Sequence, residues 1–260
     1  MTAFLKSMPA DIVLHTKHAI QTGLDTRQAE TPVNVFLRAD DIGVPGAQFA
    51  RMMDLFVQLR VPLSLAVVPA WITRARWQAL AGLQQGDDSL FTWHQHGWRH
   101  RNHEPVGKKQ EFGLSRPADV IRSDLLKGKT RLETILGRRF TPIFTPPWNR
   151  CSRVALDQLR LLKYKAVSRS RNSSPPAPAG FPDFQVNVDL HTRKEGRARE
   201  GWRNLLSELS RAIAAGTCGI MIHHQRMNDN AFSFLELLLE LMIQQKKLSL
   251  LHMPELDAYG

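Results

Sequence analysis

Short apolar runs that alternate with segments of helical spacing along nearly the whole chain constrain the fold more than any other feature. The runs fall at 33–39, 63–68, 90–93, 141–144, 165–168, 185–189, 219–222 and 248–251 and read as strands. Between them, 47–59, 71–84, 117–136, 152–162, 200–215 and 232–245 carry helical periodicity. Ser115 offers a cap and Gly137 a stop for the third of these helices. Strands that alternate with helices must run parallel with helices covering the sheet, and this many units predicts an α/β barrel or an incomplete one. A length of 260 residues is compatible with a single α/β barrel domain. The chain shows no internal repeat and no linker, so 1–260 is expected to be one domain, with 1–30 as a helical extension. The proline-rich stretch 173–180 forbids regular structure and reads as a mobile or lid segment.

Composition narrows the function classes. Lys and Arg number 35 against 24 Asp and Glu, a formal charge of +11 that invites an anionic partner. The basic residues are scattered, however. The densest stretches, 169–171 and 193–203, lack interleaved aromatics or a reading helix, so a solvated basic surface is expected rather than a nucleic-acid interface. Cys151 and Cys218 stand far apart, which supplies neither a disulfide framework nor a thiolate zinc site. No segment approaches the ~18 apolar residues of a spanning helix. The most apolar helix, 232–243, is interrupted by Glu236 and Glu240. Without a signal-peptide core near Met1, the cytoplasm is the expected compartment.

In α/β barrels the reactive groups collect beyond the carboxyl ends of the strands. The first run ends in Asp40-Asp41-Ile-Gly43, and two adjacent carboxylates are costly to desolvate unless they share a cation or a proton. The third ends in Trp93-His-Gln-His-Gly-Trp-Arg-His-Arg-Asn-His103. His96 and His100 stand at i and i+4, a spacing that places two imidazoles on one face of a helical turn. With one carboxylate they form a set of two His and one carboxylate, which leaves a position open for water on Zn²⁺ or a related divalent ion. His94 and His103 remain alternative ligands, whereas Arg99, Arg101 and Glu111 read as solvated. Later runs end in Pro146-Pro-Trp148-Asn-Arg150, in Asp189 and His191, and in His223 and His224.

This combination resembles the polysaccharide deacetylase family with the NodB homology domain. Arg38-Ala-Asp40-Asp41 is similar to its first motif, a strand ending in Asp-Asp. His96-Gly-Trp-Arg-His100 is similar to the second, His-Ser/Thr-x-x-His, and Thr145-Pro-Pro-Trp148 to the third, Arg-x-Pro-Tyr/Trp. Asn187-Val-Asp189 stands for the fourth, without its usual tryptophan, and Ile222-His-His224 resembles the last, Leu-x-His. The resemblance spans residues 33–224 in order and implies a distorted, seven-stranded (β/α) barrel.

It also implies a metal-dependent deacetylase acting on an N-acetylated sugar or a related small amide, with a carbohydrate as the partner. Asp41, His96 and His100 would hold the ion, Zn²⁺ foremost, with Co²⁺, Mn²⁺ or Ni²⁺ as alternatives. Asp40 would be the general base and Trp148 would line the sugar site, its backbone region meeting the oxyanion. His224 would protonate the leaving amine, with Asp189 orienting it and His223 as its rival. His224 is preferred because Ile220, Ile222 and His224 share one face by the period of a strand. Two departures stand out. Thr145 occupies the place of the arginine that pairs with the base, for which Arg38 and Arg150 are candidate substitutes, and Gly97 replaces the hydroxyl residue after the first histidine. Alternative activities are hydrolysis of an ester or another C–N bond, or non-catalytic carbohydrate binding.

Overall fold

The computed structural model describes residues 3–258. Eight strands alternate with helices: β1 Val33–Ile42, β2 Leu63–Val67, β3 Phe91–His96, β4 Phe140–Thr145, β5 Ala166–Val167, β6 Val188–Asp189, β7 Thr217–Ile222 and β8 Leu248–Leu250. The helices are α1 Ile12–Thr26, α2 Ala47–Leu59, α3 Arg74–Gly82, α4 Ala118–Leu136, α5 Arg153–Leu161, α6 Ala198–Ala214 and α7 Asp229–Ile243. Each predicted run coincides with one strand, although 185–189 contracts to β6 and β1 extends through both aspartates.

All strand pairs are parallel, and seven strands follow the order β5-β4-β3-β2-β1-β7-β6. The sheet is a distorted (β/α) barrel. Between β5 and β6 it is spanned by the isolated bridges Val167 to Asp183 and Ser170 to Val186. The short β8 lies off this path and pairs with the first half of β1, while β2 takes the second half.

Parallel strands buried on both faces read as nearly continuous apolar runs, as the first half of β1 and most of β2 do. Two apolar layers result. Val35, Leu37, Ala39, Ile220 and Ile222 face outward and pack under the helices with Phe49, Leu205 and Leu235. Phe36, Ile143, Ala166, Val186 and Met221 fill the inside of the curl. Above this inner floor the same strand faces turn polar, with Arg38, Asp40, His94, His96, Thr145 and Ser168 all buried. Helix starts follow local chemistry. The side chains of Thr73, Ser152 and Asn228 accept from the N–H of Arg76, Ala155 and Ala231 and so cap α3, α5 and α7.

Within the region expected as a helical extension, Ile12, Thr16, Ala19 and Ile20 of α1 are buried, and α1 packs on α6. Gly23 permits this approach, since a Cβ there would stand 2.7 Å from the Ser210 carbonyl oxygen. No helix among the described residues is long and apolar enough to cross a membrane.

Candidate metal centre

In a regular strand, Asp40 and Asp41 would point to opposite faces. The β1–β2 register slips here: Ala39 pairs with Leu65 but Ile42 pairs with Val67, so β1 carries an extra residue. Such a bulge re-aims a side chain, and Asp41 takes the left-handed conformation (φ 63°) that aspartate tolerates better than most residues. Gln225 Nε2 holds the Asp41 carbonyl at 2.8 Å.

His96 is the last residue of β3, and its Nδ1 lies 3.0 Å from the Thr145 carbonyl oxygen. A carbonyl can only accept, so Nδ1 carries the proton and Nε2 presents a lone pair. The chain then turns through Gly97 (φ 61°) to His100 (φ 56°), so the two histidines meet across a strand end and a tight loop rather than on the expected helical turn. The His100 ring is flanked by Trp148 (centroids 4.6 Å apart) and Trp71 (5.8 Å).

Among the described residues, ligand atoms of Asp41, His96 and His100 lie within 4.8 Å of one another. Nε2 of His96 and of His100 stand 3.2 and 3.1 Å from Asp41 Oδ1. Yet Oδ1 is buried with no donor aligned on it, so the three atoms converge on a common point without satisfying one another. Lone pairs gathered in this way, with the far nitrogen of His96 tied to a carbonyl, fit a divalent cation. Burial alone would raise the Asp41 pKa, but the two histidines beside it outweigh burial and hold the carboxyl far below the usual range.

Solved structures resemble this chain over most of its length. A protein assigned as a polysaccharide deacetylase from Mycobacterium smegmatis superimposes with a TM-score of 0.65 at 13% identity, covering 88% of this chain and 91% of its own. A family 4 acetyl xylan esterase from Clostridium thermocellum, in complex with a cobalt ion, gives 0.54 at 14% identity over 87% and 91%. A carbohydrate esterase family 4 pseudoenzyme from Bacillus anthracis gives 0.53 at 12% identity over 87% and 66%. The fold is that of the polysaccharide deacetylases. No family model and no curated protein matches the sequence.

Of the two arginines considered as partners of Asp40, the one on β1 reaches it. Arg38 is fully buried; its Nε and Nη2 grip Asp40 Oδ1 and Oδ2 at 2.8 and 2.9 Å. Nη1 reaches Ser168 Oγ (2.8 Å) and Nη2 also reaches Asn149 Oδ1 (2.7 Å). Arg150, the other candidate, instead has Nη1 3.4 Å from the Lys109 carbonyl. Burial pushes the Asp40 pKa up, but the charges of Arg38, His96 and His223 pull it down further and keep the carboxylate ionised. The Thr145 hydroxyl meets His94 Nε2 at 2.9 Å. His94 lies outside the cluster of Asp41, His96 and His100, and burial, then the charge of Arg38, pushes its pKa down to about 3. His103 likewise lies outside the ligand group.

Three expectations are corrected. Register places Arg38 opposite Met221 and Ala39 opposite Ile222, so the inward face of β7 continues to His223, not His224. The face holding Ile220 and Ile222 is the outer core, and there His224 is buried edge-on to Phe49, 5.4 Å between centroids. Burial pushes its pKa down to about 4. Asp189 does not orient His224. Its Oδ1 accepts from the N–H of His191 and Thr192, and its Oδ2 from the Thr192 hydroxyl, so the carboxylate closes a turn. Glu111, expected in solvent, is buried at 1% exposure, and burial raises its pKa. The contacts of Ser168 and Asn149 with Arg38 and of Trp71 with His100 are not legible in sequence, because each joins segments far apart along the chain. A separate cavity of about 1290 Å³ lies between α1 and α6 and includes no residue of the strand-end cluster.

Proposed function

We propose that the chain is a single catalytic domain that removes an acetyl group from an N-acetylated sugar or a related small amide. The observation that carries this reading is the convergence of Asp41, His96 and His100 beside an Asp40 that Arg38 holds ionised. A bound divalent cation, with Zn²⁺ the first choice, would acidify a water and polarise the acetyl carbonyl. Asp40 would be the base that accepts the proton of the attacking water. Its bidentate grip by Arg38 leaves the carboxylate one orientation, as a base needs when proton transfer depends on hydrogen-bond reach.

His223 is assigned as the acid for the departing amine. It extends from the inward face of β7 and its charge acts on Asp40, while its Nδ1 has no partner among the described residues. Trp148 closes the opposite wall against His100. Its left-handed backbone (φ 57°), after two prolines, turns the chain at this wall, and its N–H is assigned to the oxyanion. The cytoplasm, where Cys151 and Cys218 stay reduced, is the assigned compartment.

Metal analysis of the purified protein, with acetate release from a panel of N-acetyl and O-acetyl sugars, tests the reading. A stoichiometric divalent ion and acetate from N-acetyl compounds are expected. Acetate from O-acetyl compounds alone would transfer the assignment to an esterase, the activity named for the Clostridium thermocellum neighbour. Metal-loaded protein that releases no acetate from either class would favour a non-catalytic role, as in the Bacillus anthracis pseudoenzyme.

A further inference from the structure

Glu111 has no place in the chemistry above, yet it is among the most deeply buried acids of the chain. Its Oε2 accepts from the backbone N–H of Trp98 (3.1 Å) and His100 (3.2 Å), and its Oε1 from that of Arg99 (2.6 Å). Three successive N–H groups turned toward one anion form a nest, a concavity that chains of mixed handedness build for negative charge. Left-handed Gly97 and His100 frame it on either side. Here the anion is the chain's own side chain. Glu111 is itself fixed, since Arg116 donates to its carbonyl oxygen (3.0 Å) and pairs with Asp124 (2.6 Å).

Gly97 is the counterpart of this arrangement. A Cβ at that position would stand 2.1 Å from Glu111 Oε2 and 2.6 Å from Pro147 Cγ, in a conformation that side chains rarely adopt. A hydroxyl residue after the first histidine and a carboxylate in the nest thus exclude one another.

We propose that Glu111 is a positioning residue for the metal centre: by holding the N–H groups of residues 98–100 it sets the loop that aims His100 at Asp41 and His96. Each of those bonds lies in the peptide units leading into His100, so their release frees the ring to swing away from the convergence point. The proposal rests on the metal-site reading, and it concerns ligand geometry rather than the reaction.

The test is Co²⁺ binding to the metal-free protein, followed by the visible d–d absorption of the ion, with circular dichroism on the same samples. Glu111→Ala is expected to bind at least about tenfold more weakly while His96 and Asp41 are intact. Added formate should recover part of the affinity by refilling the nest. Glu111→Gln, which keeps one acceptor oxygen, should fall between and carries the test alone if Glu111→Ala does not fold. A folded variant with wild-type Co²⁺ affinity and spectrum overturns the positioning role and leaves the deacetylase reading standing. A wild-type protein that binds no Co²⁺ overturns both.

Discussion

Arg38 and Arg169 are both fully buried, and each grips one aspartate, but the two carboxylates face different surroundings. Arg38 spreads its donors over Asp40, Ser168 and Asn149, and the Asp40 carboxylate looks onto His96 and His223. Arg169 directs Nε and Nη2 to one oxygen of Asp183 and Nη1 to the Pro175 carbonyl, and so pins the proline-rich stretch that reads as a lid in sequence. The same pair of residue types therefore flanks the candidate metal centre in one place, where Asp40 is the proposed base, and anchors a loop in the other. What distinguishes them is the third party to the ion pair, not the pair.

The sharpest way to break this comparison is to neutralise each acid. Asp40→Asn should lower acetate release by about 10³-fold, within the range for a general base, while metal content is retained; Asp183→Asn should leave turnover per folded molecule within about twofold. Comparable losses in the two variants would remove the distinction. Next come the arginines. Arg38→Met and Arg169→Met each strand a buried carboxylate and should cost about 3–5 kcal/mol in urea unfolding, with loss of turnover per folded molecule confined to Arg38→Met.

A smaller contrast separates the adjacent histidines after β7. His223→Ala should reduce turnover by about 10²-fold, whereas His224→Ala should act on stability, costing about 1–3 kcal/mol through lost packing against Phe49. A larger catalytic loss at His224 would restore the period-two assignment. The smallest effect concerns His191, whose Nδ1 accepts the His223 N–H and whose pKa burial pushes from 6.5 down to about 3. The unfolded chain binds this proton below pH 6.5 and the folded chain only near 3, so the stability is intact above 6.5 and is lost as pH falls across that window. His191→Asn should flatten the acid limb of the unfolding free energy, measured by urea titration at each pH, by up to about 1.4 kcal/mol per pH unit.

Much of the fold was legible because it depends on local period. Apolar runs of strand length between helical repeats leave few alternatives to a parallel sheet wrapped in helices, and the predicted runs became β1 to β8. The cluster of Asp41, His96 and His100, which could hold a cation, was legible for a related reason: Asp41 and His96 close strands and His100 follows in the next loop, where the topology gathers them. The helical turn expected of HxxxH was not found, because Gly97 and His100 adopt left-handed conformations that spacing alone does not reveal.

The sequence by itself determined the strand–helix alternation, the order of the chemistry-bearing strand ends and the residue types available there, since each is written in neighbouring residues. Tertiary structure decided which partner each buried group found. The bulge at Asp40 and Asp41 turned two neighbouring carboxylates toward one site, and the register of β1 on β7 chose His223 over His224 as the inward imidazole. Arg38 became the tether of Asp40, and Glu111 left solvent for the nest beneath His100. The physical reason is common to all of these. A buried charge must be satisfied by whatever the fold brings within about 3 Å, and that distance crosses gaps in sequence that no local pattern encodes.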